Sequence, residues 1–151
     1  MLAHTLYTHP TSTEWVTFIH GAGGSSTIWF KQIRAFKKHF NVLLLDLRGH
    51  GRSKANLRSL FEKRYSFESI AKDIIEVLDY RKIQKSHFVG MSLGTIIIRQ
   101  LAELQPYRLT SMVMGGAVMK VNLRGKVLIT VGNLFKNILP YLFLYKILAF
   151  V

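Results

Sequence analysis

The chain has 151 residues, 49% of them apolar, enough for one domain with a core. It contains no cysteine, which excludes a disulfide framework and a thiolate metal site; neither a metal nor any other cofactor is expected. The formal net charge of +13 suits nucleic acid or an anionic membrane surface, but the cations are scattered without a nucleic-acid motif, so no nucleic-acid partner is expected. Residues 1–10 lack the basic stretch and long apolar run of a secretory leader, and a cytoplasmic location is expected.

Residues 3–8 form an edge-strand candidate, and 10–14 a polar turn. Trp15–Ile19 is a β-rich run that ends at His20-Gly21-Ala22-Gly23-Gly24-Ser25-Ser26. An amphipathic helix is predicted next, with Ile28, Trp29, Ile33 and Phe36 apolar against Lys31, Gln32, Arg34 and Lys37. Ser26 or Thr27 would cap it. A glycine loop between strand and helix suits two tasks. One is a phosphate cradle, since Gly21-Ala22-Gly23-Gly24 is like the opening of a dinucleotide fingerprint and Asp46 ends the following strand. The third glycine of that fingerprint, however, would fall at Ser26. The other task is an oxyanion hole, in which backbone N–H groups face the oxygen of a tetrahedral intermediate. The His-Gly opening favours this second task.

Residues 40–45 are nearly all apolar, as a strand buried on both faces should be. The loop Asp46-Leu47-Arg48-Gly49-His50-Gly51-Arg52-Ser53 follows. Asp46 and Arg48 are expected to brace it, and His50 to be a loop residue. Residues 56–65 are a polar, basic surface connection. Residues 66–80 predict a helix with an apolar stripe of Phe67, Ile70, Ala71, Ile74, Val77 and Leu78. A strand over 85–89 then feeds Gly90-Met91-Ser92-Leu93-Gly94, and a helix-like run over 95–104 leaves it. The glycines allow a turn too sharp for side chains at its edges. Ser92, at the apex, is placed to attack an electrophilic carbonyl. A further strand is predicted over 109–114. Strands alternating with helices predict an α/β fold with parallel pairing.

Three motifs stand in a fixed order: His20-Gly21-Ala22-Gly23, then Asp46 to Ser53, then Gly90 to Gly94. Together they resemble the α/β-hydrolase fold superfamily, in particular its small esterase, haloperoxidase-like and C–C-bond hydrolase members, over about residues 1–118. The resemblance implies a mostly parallel sheet with flanking helices, the amino-terminal part of an α/β-hydrolase core. It also implies hydrolysis of an ester or a related acyl or C–C bond in a small-molecule substrate. By position, Ser92 matches the nucleophile. The backbone N–H groups of Ala22 and Leu93 match the oxyanion hole, and Gly21, Gly23 and Met91 match the substrate pocket.

In that family the order along the chain is nucleophile, acid, histidine. After Ser92 this sequence has no His and no Asp, and its only acid there is Glu103. His87 shares a strand with the serine and, at about 3.3 Å per residue, lies well below it. The acid and histidine are therefore expected from sequence not present, and the chain reads as the front portion of a larger hydrolase, weakly active or inactive alone. Residues 126–151 are very apolar, but Lys136, Lys146, Asn133, Asn137 and Pro140 oppose a membrane span. The expectation for 119–151 is the start of a helical cap that excludes water from the site. Its apolar face would be covered by a second chain or by a carboxy-terminal half. The alternatives are a non-catalytic hydrolase-like binding protein, a nucleotide-binding α/β domain, and a protein held at a membrane by its tail.

Overall fold

The computed structural model describes residues 1–53 and 66–117. The chain divides into two compact units, Met1–Val118 and Met119–Val151, and every described element belongs to the first. The surface connection over 56–65 and the cap over 119–151 lie outside the described residues.

Five strands form one sheet: β1 (His4–Tyr7), β2 (Trp15–Ile19), β3 (Asn41–Leu45), β4 (Ser86–Met91) and β5 (Leu109–Gly115). Their order across the sheet is β1-β3-β2-β4-β5. Only β1 runs antiparallel, with His4 opposite Leu45; the other pairs are parallel. Parallel neighbours need crossovers, and helices supply them. They are α1 (Phe30–Phe36), α2 (Phe67–Tyr80) and α3 (Leu93–Leu104). Strand alternation sorts the core into two layers. Val16, Phe18, Val42 and Leu44 pack with Trp29 at the start of α1, and Ile33 and Phe36 close that layer. Ile19, Leu43, Leu45 and Phe88 face the other way, against α2 and α3, where Ile74, Leu78, Ile97 and Ile98 are buried. The predicted α/β class and the mostly parallel sheet are what the structure shows.

Two element starts differ by more than one residue from those predicted. The amphipathic run that opens with Ile28 begins as a 3₁₀ turn, Ser26–Trp29, before α1. The reason is local: Ser25 is extended and its hydroxyl bonds Thr27 instead of capping a helix N–H. The Ser26 N–H is drawn to Asp46. The helix after the serine starts at Leu93, because the Ser92 carbonyl already accepts the Thr95 N–H at 2.9 Å.

The end of α2 is a Schellman turn. Ile83 N–H donates to Leu78 O at 2.8 Å and Lys82 N–H to Asp79 O at 3.0 Å. Buried Ile83 locks it. The turn forces Lys82 to φ 56, a conformation that suits glycine. Lys82→Gly should therefore raise stability by about 0.5–1 kcal/mol, read as a higher urea midpoint with an unchanged slope.

Candidate active site

β4 ends at Met91 and α3 begins at Leu93, so Ser92 alone makes the turn between them. Its backbone sits at φ 49, ψ −112, a strained conformation for a residue with a side chain. Such a residue costs about 1–3 kcal/mol and persists only where its surroundings dictate it. Here they do. Ser92 N–H donates to the Gly115 carbonyl at the end of β5, at 2.9 Å. The Thr95 hydroxyl donates to Ser92 O at 2.7 Å. Ser92 itself is exposed.

The flanking glycines are steric necessities. A methyl on Gly90 would lie 2.5 Å from Ile98 Cδ1 and 2.9 Å from the Gly94 carbonyl carbon. A methyl on Gly94 would run into the Ile19 carbonyl oxygen at the end of β2. The helix after the serine thus rests directly on the strand that leads to the glycine loop.

That loop lies alongside the serine. A Cβ on Gly21 would be 3.3 Å from both Met91 O and Ser92 Cβ. Gly24 N–H closes a tight turn on Gly21 O at 3.2 Å. Gly23, at φ 72, borders open space. Neither the Ala22 N–H nor the Leu93 N–H donates to another described residue. Leu93 is the first residue of α3, where a backbone N–H has no intrahelical acceptor. Met91 is 45% exposed beside Ser92, with its sulfur against Gly115 and Gly116. The structure therefore brings Gly21, Met91, Ser92 and Leu93 together at one edge of the sheet.

His20 is fully buried and braces the loop. Leu47 N–H donates to its Nε2 at 3.0 Å, so Nδ1 carries the proton and donates to Gly21 O at 2.7 Å. Burial lowers its pKa, the Gly21 bond opposes that, and nearby His50 lowers it further. The ring is a neutral strut between the glycine loop and the end of β3.

Asp46 braces the adjoining loop, as expected of it. Oδ1 accepts Ser26 N–H at 2.7 Å, while Oδ2 accepts the Arg52 N–H at 3.1 Å and its Nε at 3.0 Å. A Cβ on Gly51 would fall 2.6 Å from Asp46 Cγ, so the carboxylate fills the space that glycine leaves. Burial alone would raise the Asp46 pKa, but the bonds from Ser26 and Arg52 outweigh it and hold it at about 2. Arg48 forks onto Asp73 of α2 at 2.8 and 2.7 Å, pinning the loop from its far side. His50 Nδ1 bonds its own loop at Arg48 O. His87 Nδ1 is 2.7 Å from Ser111 Oγ. Among the described residues, nothing hydrogen-bonds Ser92 Oγ.

The roles of Gly115 and Thr95 were missed in the sequence. The one available signal was the Gly115-Gly116 pair at the end of a strand. Gly116 takes φ 59 beside the Met91 sulfur, and Gly115 leaves that sulfur its space.

The family model for the alpha/beta hydrolase fold matches residues 14–139. The chain belongs to the α/β-hydrolase fold family. Within that family it is 38% identical over 93 residues to the protein named "Putative carbamate hydrolase RutD" of Stutzerimonas stutzeri, covering 62% of this chain and 34% of that one. It is 26% identical over 112 residues to 3-oxoadipate enol-lactonase 1 of Acinetobacter baylyi, covering 74% and 40%. Among solved structures it is similar to the enol-lactonase from Burkholderia xenovorans, with a TM-score of 0.66 and 28% identity over 75% of this chain and 41% of that one. The chain thus spans 34–41% of the length of these α/β-hydrolase relatives.

Two outcomes test the bracing of the site. Gly94→Ala should cost about 1–3 kcal/mol of stability through overpacking against Ile19, measured by urea denaturation. Asp46→Asn should cost about 2 kcal/mol near neutral pH. The folded pKa lies below the ordinary value of 3.8 in the unfolded chain, so the stabilisation is present above that pH and lost as pH falls toward about 2. His20 adds a separate sensitivity below pH 6.5, where the unfolded chain takes up a proton that the buried ring resists. Stability of wild type and Asp46→Asn, measured against pH, should converge near pH 2.

Proposed function

We propose that this chain is the nucleophile-bearing portion of a serine hydrolase acting on an ester or a related acyl or C–C bond of a small molecule. The observation that carries the reading is the exposed, strained Ser92 beside two unclaimed amide groups, Leu93 N–H and the neighbouring Ala22 N–H. Ser92 Oγ adds to the substrate carbonyl carbon, and its proton passes to a histidine. The carbonyl oxygen becomes an oxyanion that accepts from Ala22 and Leu93, with the positive end of α3 behind it. The oxyanion collapses, the leaving group departs with the proton, and an acyl-Ser92 ester remains for water to cleave. Gly21 and Gly23 let the substrate approach the loop closely, and Met91 lines the acyl side. No His or Asp follows Ser92 in the sequence, so the base and its acid come from other polypeptide. That polypeptide is either further sequence of the same protein or a second chain. The relatives named above, the protein named "Putative carbamate hydrolase RutD" and two enol-lactonases, support acyl chemistry here.

The second reading is a hydrolase-like protein that binds a ligand without turning it over. It is favoured by the absence of any described partner on Ser92 Oγ. The nucleotide reading loses support, because Asp46, its ribose-binding candidate, spends both oxygens on Ser26 and Arg52.

The 151-residue chain alone should hydrolyse p-nitrophenyl acetate very slowly, and polypeptide that supplies the His and acid should raise that rate by orders of magnitude. Ser92→Ala should remove the gain. A gain that survives Ser92→Ala contradicts the reading, and absence of both gain and fluorophosphonate labelling favours the binding protein.

A further inference from the structure

Residues 15–45 contain no carboxylate, and the next acid, Asp46, is buried with both oxygens occupied. Into this acid-free stretch the sequence puts Lys31, Arg34, Lys37 and Lys38, all exposed on α1 and the turn after it. None of the four forms an ion pair among the described residues. The acid just before the stretch, Glu14, faces His87 and pairs with none of the four among the described residues.

Apolar groups stand among these cations. Phe30 is 67% exposed and Ile28 43% exposed, although the helix has already buried Trp29 and half-buried Ile33 and Phe36 against the sheet. Lys31 Nζ sits 5.7 Å from the Phe30 ring centroid. Beside Phe30 opens a depression of about 470 Å³ with Ile33, Leu44 and Tyr7 on its walls and half-exposed Arg52 among its lining. Exposed phenylalanine and isoleucine side chains set among these cations are complementary to a phase that is apolar and anionic together.

We propose that α1 and its flanks form a docking surface for an anionic lipid bilayer. Phe30 and Ile28 enter the boundary between headgroups and acyl chains, and Lys31, Arg34, Lys37 and Lys38 lie at the level of the lipid phosphates. A nucleic-acid duplex would satisfy the cations equally well, but it has no apolar phase to receive Ile28. The proposal is independent of the chemistry at Ser92.

The test is co-sedimentation of the whole chain with phosphatidylglycerol-containing vesicles and with pure phosphatidylcholine vesicles. Wild type is compared with Lys31→Gln/Arg34→Gln and with Phe30→Ala, each shown to keep the wild-type circular dichroism and urea midpoint. The chain should partition onto the anionic vesicles and not onto the neutral ones, and less so at high salt. The double substitution should lower partitioning by about thirtyfold, at roughly fivefold per cation near the surface. Phe30→Ala should lower it severalfold without changing the salt dependence. Equal partitioning onto neutral vesicles, no partitioning at all, or partitioning that both variants leave unchanged would each overturn the proposal. So would binding of a DNA duplex that the double substitution abolishes while vesicles go unbound.

Discussion

The site depends on one close contact, where the start of α3 is pressed onto the end of β2. Gly94 lies so near the Ile19 carbonyl that no side chain fits between them. This contact fixes where the helix begins, and so which amide, Leu93 N–H, is left at its free end. It also fixes the distance from the serine to the glycine loop, because that loop starts one residue beyond Ile19. The strain at Ser92 follows from the same squeeze. The chain must reverse within a single residue, and the Gly115 carbonyl and the Thr95 hydroxyl hold it there.

Around this contact the sheet serves as a rigid frame. His20 and Asp46 set the loops that border the candidate site. His20 joins the glycine loop to the residue after Asp46, and Asp46 joins the start of the 3₁₀ turn to the loop ending at Ser53. Both are buried polar groups with their bonds satisfied, which makes them stiff supports rather than reactive ones. β5 has a double part: its last carbonyl clamps Ser92, while Met112, Val113 and Met114 are exposed along it. Nothing in β5 is charged, so it lacks the charged side chains that usually protect an edge strand. That character fits a hydrolase core whose relatives are much longer than this chain.

Most of this was legible in the sequence, for identifiable reasons. The strands announced themselves as apolar runs, and α2 as a stripe with a period of about 3.6 residues. The elbow was legible because sterics admit only glycine on either side of the serine. The exact start of α1 was not, since it depends on Ser26 N–H reaching Asp46, which is 20 residues away. The clamp from Gly115 was hidden for the same reason: it joins β5 to the elbow across the sheet, and no local pattern encodes it. Asp46 shows the opposite case. Its place at a strand end admitted a ribose-binding role, and only its bonding partners assign it to bracing.

Residue-resolved amide hydrogen exchange measures the central claim directly. The account predicts slow exchange at Ser92, whose N–H is bonded to Gly115 O, and fast exchange at Ala22 and Leu93, whose N–H groups have no acceptor among the described residues. Protection of Leu93 comparable to the middle of α3, or rapid exchange at Ser92, would contradict it.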